Sequence, residues 1–209
     1  MRPLRRAVFV HVPKTAGSAI IQWANRNSQK HSFVLDHCGH ATLEEINGTG
    51  DKVPLSQYTD IDPYVIFGVR RNTYDRMISV YNHIGLQPVT RREKTKEWKL
   101  YSKAHKKGIV YFTDWINDNK SSRYTHWNRS LIEWLKGVNV VLQYENLHNQ
   151  FKIIKEVLAV PDPLKPANVL PYRYRKSTYY TQDYIDVIQK HYGEEIEKYK
   201  YLPKKCLTS

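Results

Sequence analysis

The feature that most constrains the fold is an apolar run that leads directly into a lysine-bearing turn and then into a helix. Residues 8–12 read Val-Phe-Val-His-Val, which is typical of a buried strand. Pro13 and Lys14 begin a sharp loop, and the helix after it begins near Gly17. Backbone N–H groups at a helix start lack partners and carry the positive end of the helix dipole, so they bind anions. The segment therefore predicts a binding loop for a phosphate-type group.

The side chains of this loop also suit an oxyanion. Lys14 adds a mobile charge, Thr15 and Ser18 offer hydroxyls, and Gly17 lets the backbone approach an oxyanion closely. The order of these residues excludes a Walker A loop. That loop has glycines before its lysine, whereas here Lys14 precedes Gly17. On this segment alone, a strand, turn and helix with an incidental lysine is the alternative interpretation.

A second strand, basic turn and helix follow at residues 64–84. Residues 64–69 form a strongly apolar run, typical of a central parallel strand. Arg70 and Arg71 come directly after it, and Met77, Ile78 and Tyr81 then repeat at helical spacing. Arginine suits phosphate because its planar fork matches the phosphate oxygens. This segment predicts a second anion-binding corner.

The two segments together resemble the nucleotide motifs of the sulfotransferases that use 3′-phosphoadenosine 5′-phosphosulfate (PAPS). Residues 9–18 match, nearly position by position, the His-Ile-Pro-Lys-Thr-Ala-Gly-Thr loop of the carbohydrate branch. The resemblance implies that Lys14 stabilises charge on the leaving side. It also implies that the phosphosulfate is bound by Pro13, Lys14, Thr15, Ala16, Gly17 and Ser18.

The second segment resembles the family pattern Val-Arg-Asn/Asp-Pro-Tyr-Asp/Glu-Arg-Leu-x-Ser-x-Tyr. The resemblance implies that Arg71 and Ser79 bind the nucleotide 3′-phosphate, with Arg70 as the alternative arginine. Thr73 stands where the family has proline, so the turn is less rigid. Arg76 stands at the second arginine of this pattern. The alternative interpretation is that Arg76 pairs with an acidic residue and holds the turn.

Residues 37–46 contain the candidate general base. Heparan sulfate 2-O-sulfotransferases have a His-Gly-His segment at this place, and the 6-O enzymes have a His-Ala-x-x-x-Glu-Leu-like segment. The resemblance implies that His40 is the base, and histidine titrates near neutral pH. Cys38 stands at the first histidine of the 2-O pattern. The alternatives are a loop-capping role for His40 and a glutamate base at Glu44 or Glu45.

Later segments extend the resemblance. Residues 143–147 resemble the Tyr-Glu-Asn/Asp-Leu corner of the family, and residues 174–178 resemble the Arg-Lys-Thr loop that closes over the nucleotide. Arg175 and Lys176 are therefore implied to contact the nucleotide or the acceptor, with a solvated basic loop as the alternative. His11 is expected to be structural, at the end of its strand. Residues 91–107 are strongly basic and either line a cleft for an acidic glycan or form a flexible insertion.

Strands that alternate with helices predict the fold class. We expect an α/β, three-layer, P-loop-NTPase-like fold with a central parallel sheet flanked by helices. The 209 residues fit a single sulfotransferase domain, 1–209, with a basic insertion at about 88–108. The remaining elements are predicted as helices at 17–29, 73–84, 109–118, 128–136 and 181–200 and as strands at 32–35 and 138–142.

Composition narrows the function. The net charge of +13 favours anionic partners. The two cysteines make no disulfide framework, no zinc spacing is present, and we expect no metal. The chain shows no signal peptide and no run of the ~20 apolar residues that a membrane helix needs, so we expect a cytoplasmic protein without a membrane span.

The resemblance implies a PAPS-dependent sulfotransferase that moves a sulfuryl group to a hydroxyl acceptor, with a lean towards carbohydrate, including acidic glycans. A nucleotide kinase-like phosphotransferase is the alternative enzyme. A non-catalytic polyanion-binding protein is the alternative from another class, since 16 tyrosines could stack on bases. No RNA- or DNA-binding motif is visible, so nucleic acid is not an expected partner. The sequence identifies neither the acceptor nor the oligomeric state.

Overall fold

The structure, a computed structural model, describes residues 5–37, 42–43, 64–86, 129–166 and 179–203. The chain forms two compact units, one from Met1–Arg71 and Arg129–Val169 and the other from Asn72–Asn128 and Leu170–Ser209. The single domain expected over 1–209 stays a prediction. The basic insertion and the helix predicted at 109–118 lie outside the described residues.

The first unit contains a four-stranded sheet in the order β2-β1-β3-β4. All its strand pairs are parallel: β1 pairs with β2 and β3, and β3 pairs with β4. This arrangement confirms the predicted α/β class with a central parallel sheet flanked by helices. The strands are β1 (Arg5–Val10), β2 (Phe33–His37), β3 (Tyr64–Arg70) and β4 (Val140–Gln143).

Strand β1 lies between β2 and β3, and its side chains are therefore buried on both faces of the sheet. Ala7, Val8, Phe9 and Val10 are at most 1 % exposed, as expected for an inner parallel strand. The ring of Phe9 stacks on that of Phe67 in β3, with centroids 5.1 Å apart. The chain therefore leaves β1 at the middle of the sheet.

The helices of the described ranges alternate with these strands. Their sequence bounds agree with the predictions to within a few residues, with one exception. The predicted helix at 128–136 is confined to four residues, because Ser130 caps its start through a bond from the Ile132 N–H (3.1 Å) and Gly137, at φ 76°, turns the chain towards β4. The helices are α1 (Gly17–His31), α2 (Thr73–Leu86), α3 (Leu131–Trp134), α4 (Leu147–Gln150), α5 (Lys152–Leu158) and α6 (Gln182–Tyr199), with a 3₁₀ turn at Tyr144–Asn146.

The core of the first unit joins α1 to the helices after β4. Trp23 of α1 is fully buried and meets Phe151 edge-to-face, with centroids 4.9 Å apart. Its indole Nε1–H donates to the Asp162 carbonyl at 2.9 Å, which satisfies the polar tip of the ring. The sequence after β4 predicts a helix with four apolar residues on one face, and the structure confirms that all four are buried: Leu147, Phe151, Ile154 and Leu158.

The second unit has a core rich in tyrosine, formed by α2, α6 and residues 179–180. Six of the 16 tyrosines lie in it, so these rings serve packing. Three of their hydroxyls donate hydrogen bonds within the unit. Tyr179 donates to Asn82 Oδ1 (3.0 Å), Tyr180 to Asp75 Oδ1 (2.5 Å) and Tyr184 to the Tyr74 carbonyl (2.5 Å). Burial raises the pKa of Tyr184 well above its ordinary value.

The buried face of α6 differs from the predicted stripe. The sequence predicts Ile185, Ile188, Tyr192, Ile196 and Tyr199 on that face. Tyr184 and Glu195 are instead buried, at 0 % and 1 % exposure, while Ile185 and Ile196 are only partly buried. Glu195 accepts a hydrogen bond from the Thr73 hydroxyl. The buried face of α6 therefore includes polar groups that have partners inside the unit, and it differs from the most apolar face of the helix.

Within the described residues, none of the helices combines the length and the apolar character that crossing a bilayer requires. The cytoplasmic location expected from the sequence stays a prediction.

Candidate anion-binding site

The candidate site lies at the carboxyl edge of the sheet. The strand order places β2 on one side of β1 and β3 on the other, so the connections from β1 and β3 diverge at this edge. Open α/β sheets bind ligands at such a switch point. The loop 11–18 leaves β1 there, Arg71 follows β3, and Tyr144 follows β4. All three belong to the first unit.

The loop after β1 has an unusual backbone. Lys14 and Ala16 both adopt left-handed conformations, with φ angles of 66° and 77°. Residues with a β-carbon rarely take this conformation, because it costs roughly 1–2 kcal/mol. The hydroxyl of Thr15, which is fully buried, donates to the Val12 carbonyl at 2.9 Å and closes the loop. Strain of this kind clusters at functional sites.

Helix α1 begins without a side-chain cap. Its N-cap residue is Ala16, and no acidic residue stands in its first turn. The Ala16 carbonyl accepts from the N–H groups of Ala19 and Ile20. Among the described residues, no backbone acceptor faces the N–H groups of residues 15–18. These donors and the helix dipole therefore form a site whose charge suits an anion.

Two cations border this helix start. The Arg71 Nη1 donates to the Lys14 carbonyl at 3.0 Å, and the Arg71 side chain is buried at 7 % exposure. The Arg71 guanidinium also lies over the ring of Tyr144, 4.3 Å from its centroid. Burial, and then the positive charge of Arg71, lower the pKa of Lys14 from 10.5 to about 8. Both effects disfavour the charged form of Lys14, and a bound anion would favour it again.

Gly17 has a second reason for being glycine besides the close approach to an oxyanion that the sequence predicts. It is absent from the residues with positive φ, which are its neighbours at positions 14 and 16. A β-carbon at Gly17 would instead overlap the imidazole of His11. The glycine therefore makes room for a ring, and the strained position belongs to Ala16.

Replacing Ala16 with glycine is expected to stabilise the protein by about 0.5–1 kcal/mol, since glycine adopts the left-handed conformation without a penalty. Ala159 is the matched control, because it holds the same conformation (φ 53°) at the end of α5. Ala159→Gly should raise Tm similarly, whereas Ala24→Gly inside α1 should lower it. Thermal unfolding measures all three, and a lower Tm for Ala16→Gly would contradict the strain argument.

The other predicted residues fall into three groups. Pro13 is buried in the turn and Ser18 is half-buried in the first turn of α1, so both lie with Lys14. Ser79 is half-buried in the middle of α2 and belongs to the second unit. His40, Arg175 and Lys176 lie outside the described residues, and so do Glu44 and Glu45.

The position of His40 along the chain is nevertheless informative. Strand β2 ends at His37, whose partner in the register is Phe9 of β1. His40 therefore comes three residues after a strand that ends at the same edge as β1. The assignment of His40 as the base stays a prediction.

The contacts of two residues escaped the sequence analysis. The sequence places Tyr144 only in the family-like segment 143–147. The available signal for a role at this edge is that Tyr144 is an aromatic residue directly after a parallel strand. The packing of His11 on Gly17 had no signal, because the spacing of the two residues does not reveal it. Within the described residues, no group of three or more histidine, cysteine or acidic side chains could hold a metal ion.

Comparison with known proteins agrees with this arrangement. Residues 1–202 match the sequence model described as the sulfotransferase family. No curated protein and no solved structure matches the chain significantly. Because the family match extends over nearly all of the 209 residues, the chain belongs to the sulfotransferase family, whose reaction is the transfer of a sulfuryl group.

Proposed function

We propose that this protein transfers a sulfuryl group from PAPS to a hydroxyl acceptor and releases adenosine 3′,5′-bisphosphate. One observation carries the proposal: the uncapped start of α1 adjoins two cations, Lys14 and Arg71, and the second donates to the carbonyl of the first. A ligand with anionic groups at both ends of one nucleoside suits two neighbouring positive corners.

The residues present fit the donor. The N–H groups of residues 15–18, the Ser18 hydroxyl and Lys14 would hold the 5′ end, and Arg71 would hold the 3′-phosphate. Thr15 contributes through its backbone, because its hydroxyl proton is directed to the Val12 carbonyl. When bound, PAPS supplies the sulfuryl group together with a phosphate leaving group.

Lys14 has a role in the transfer that follows from its charge. A protonated Lys14 places a positive charge beside the leaving oxygen, where negative charge grows as the bond to sulfur breaks. The Lys14 side chain is half-buried, which lowers its pKa, and an electrostatic contact is stronger in such surroundings than in water. The helix dipole of α1 acts in the same direction.

We propose His40 as the general base that takes the proton of the acceptor hydroxyl, and Ser79, Arg175 and Lys176 as further nucleotide contacts. His40→Ala should then abolish transfer while nucleotide binding is retained, because the base touches the acceptor side only. Titration with adenosine 3′,5′-bisphosphate separates the two effects. Undiminished turnover in His40→Ala would remove the base assignment and leave the family assignment intact.

The acceptor is proposed to be a carbohydrate hydroxyl. The net charge of +13 favours an acidic glycan over a neutral small molecule. The test is a screen with labelled PAPS in which glycans, phenols and tyrosyl peptides are offered in parallel. Labelling confined to phenols or peptides would contradict the carbohydrate acceptor.

The family match disfavours the kinase-like phosphotransferase that was the alternative enzyme, although such an enzyme would share the parallel scaffold. Calorimetry with adenosine 3′,5′-bisphosphate and with ATP decides between the two. We expect the bisphosphate to bind without added Mg²⁺ and ATP to bind more weakly. A preference for ATP would contradict the sulfotransferase donor, whereas tight nucleotide binding with no transfer to any acceptor would favour the polyanion-binding alternative.

Nucleotide affinity is expected to fall as the pH rises through about 8. In the free protein Lys14 loses its proton near that pH, and only the protonated amine attracts the anion. Binding below pH 8 therefore needs no proton uptake, whereas binding above it does. Affinity for adenosine 3′,5′-bisphosphate should decline towards pH 9.5 in the wild type and stay flat in Lys14→Met. A flat profile in both proteins would exclude Lys14 as a contact.

A further inference from the structure

The ring of His11 lies directly against the first residue of α1. A β-carbon built on Gly17 would overlap the imidazole at Nε2, Cδ2 and Cε1. Since Gly17 has no positive φ, its lack of a side chain serves this close approach and not a special backbone conformation. His11 itself follows the last residue of β1, so the ring connects the sheet to the start of the helix.

The ring of His11 also packs against the aromatic core of the sheet. His11 stacks on Phe9 with centroids 5.6 Å apart and an interplanar angle of 23°. Phe9 is fully buried and stacks in turn on Phe67. Interiors are close-packed, so the imidazole cannot withdraw from α1 without disturbing this row of rings. The core of the sheet therefore fixes the position of Gly17 through the His11 ring.

This contact replaces something that α1 lacks. Helix starts are usually held by an N-cap side chain that bonds to an N–H of the first turn. Such a cap would occupy donors that a bound anion needs. In α1 the N-cap is Ala16, with no side-chain hydrogen bond. A packing contact at Gly17 can hold the same turn while leaving its N–H groups open.

We propose that His11 is a positioning residue, whose ring fixes the first turn of α1 through Gly17 so that its open N–H groups are aimed at the 5′ anionic group of the nucleotide. This inference rests on the proposed function for the identity of the ligand. The contact between His11 and Gly17 does not depend on the proposed function.

A thermal-unfolding cycle tests the contact without any ligand. Gly17→Ala should lower Tm by about 5 °C, since the added methyl overlaps the ring. In a His11→Ala background the same substitution should cost less than half as much, because the ring is gone. Equal losses in the two backgrounds would overturn the inference. If Gly17→Ala does not fold, recovery of folding in the double variant replaces the Tm comparison.

Two nucleotides test the positioning role. Adenosine 3′,5′-bisphosphate carries the 5′ group, and adenosine 3′-monophosphate lacks it. His11→Ala should weaken the bisphosphate at least about 10-fold and leave the monophosphate within about twofold, because only the first ligand uses α1. His11→Ser should behave like His11→Ala, since it keeps a polar group but ends at the γ atom, short of the ring atoms that face Gly17. The matched control is His148→Ala, an exposed histidine on α4, which should change neither affinity.

The outcomes separate the two proposals. Equal weakening of both nucleotides, or of neither, would show that His11 is merely structural and would overturn the positioning role. Full bisphosphate affinity in His11→Ser would overturn it as well, because the contact with Gly17 would then be dispensable. A wild-type protein that binds neither nucleotide would contradict the proposed function and the nucleotide role of His11, while the unfolding cycle would still decide whether the contact exists.

Discussion

Lys14→Met is expected to lower kcat/KM by about 10³-fold, because it removes the charge that stabilises the leaving group. The same substitution should raise, and not lower, the Tm of the ligand-free protein at pH 7. The pKa of Lys14 is depressed from 10.5 to about 8, so the folded state disfavours its charged form. A loss of function together with a gain in stability is the result expected for a cation whose charge is maintained for binding an anion.

The pH dependence of stability provides a second check on Lys14. Between about pH 8 and pH 10.5 the unfolded chain still carries the Lys14 proton and the folded chain does not. The unfolded state binds more protons there, so the wild type gains stability with rising pH. The Tm advantage of Lys14→Met should therefore shrink across that interval. Lys30→Met, on the exposed face of α1, is the matched control and should affect neither turnover nor this interval.

A wild-type rate in Lys14→Met would contradict the proposed function at its centre. A lower Tm at pH 7 would instead contradict the electrostatic account of the site, even if turnover were lost. The two measurements are therefore independent, and each needs only the purified full chain.

Arg71→Ala is expected to weaken adenosine 3′,5′-bisphosphate by about 10²–10³-fold. The substitution removes a buried, charge-assisted donor, and it also removes the bond to the Lys14 carbonyl (3.0 Å) that supports the loop. Arg71→Lys should recover little affinity, because a lysine amine cannot present a planar fork to the phosphate while it donates to Lys14. Isothermal titration of each variant measures these losses.

Arg70→Ala is the matched control for Arg71. Arg70 is the last residue of β3 and half-buried, and it was the alternative phosphate ligand in the sequence. We expect its loss to cost less than about tenfold in nucleotide affinity, since the contact with the Lys14 loop belongs to Arg71. The opposite ranking of the two variants would transfer the 3′-phosphate assignment to Arg70. Adenosine 5′-monophosphate should be less affected by Arg71→Ala than the bisphosphate is, because it lacks the 3′ group.

Sequence reasoning succeeded where a signal is local along the chain. The apolar runs of β1 and β3 and the glycine, lysine and arginine residues that follow them are read within a few positions. A parallel sheet then brings the ends of neighbouring strands to one edge. The loop after β1 and the arginine after β3 could therefore be assigned to one site before any contact was known.

It failed where a residue is defined by a distant partner. The buried face of α6 differs from the prediction by about one position, because Tyr184 and Glu195 are buried beside hydrogen-bond partners on α2 that the sequence of α6 does not reveal. Similarly, Thr15 was assigned a hydroxyl for the ligand, whereas its proton goes to the Val12 carbonyl. A hydroxyl next to a candidate ligand looks the same in the sequence whether it faces the ligand or closes its own loop.

The amino-acid sequence by itself determined the parallel α/β class and the two basic turns, because periodicity, glycine placement and charge act over short stretches of chain. The resemblance of its motifs indicated the sulfotransferase family, which the family match shows. Only the tertiary structure decided that Arg71 holds the Lys14 carbonyl, that His11 occupies the space above Gly17, and that the strain falls on Ala16. Those contacts arise when separate segments meet. Their geometry depends on how the whole first unit packs, and no spacing of residues encodes it.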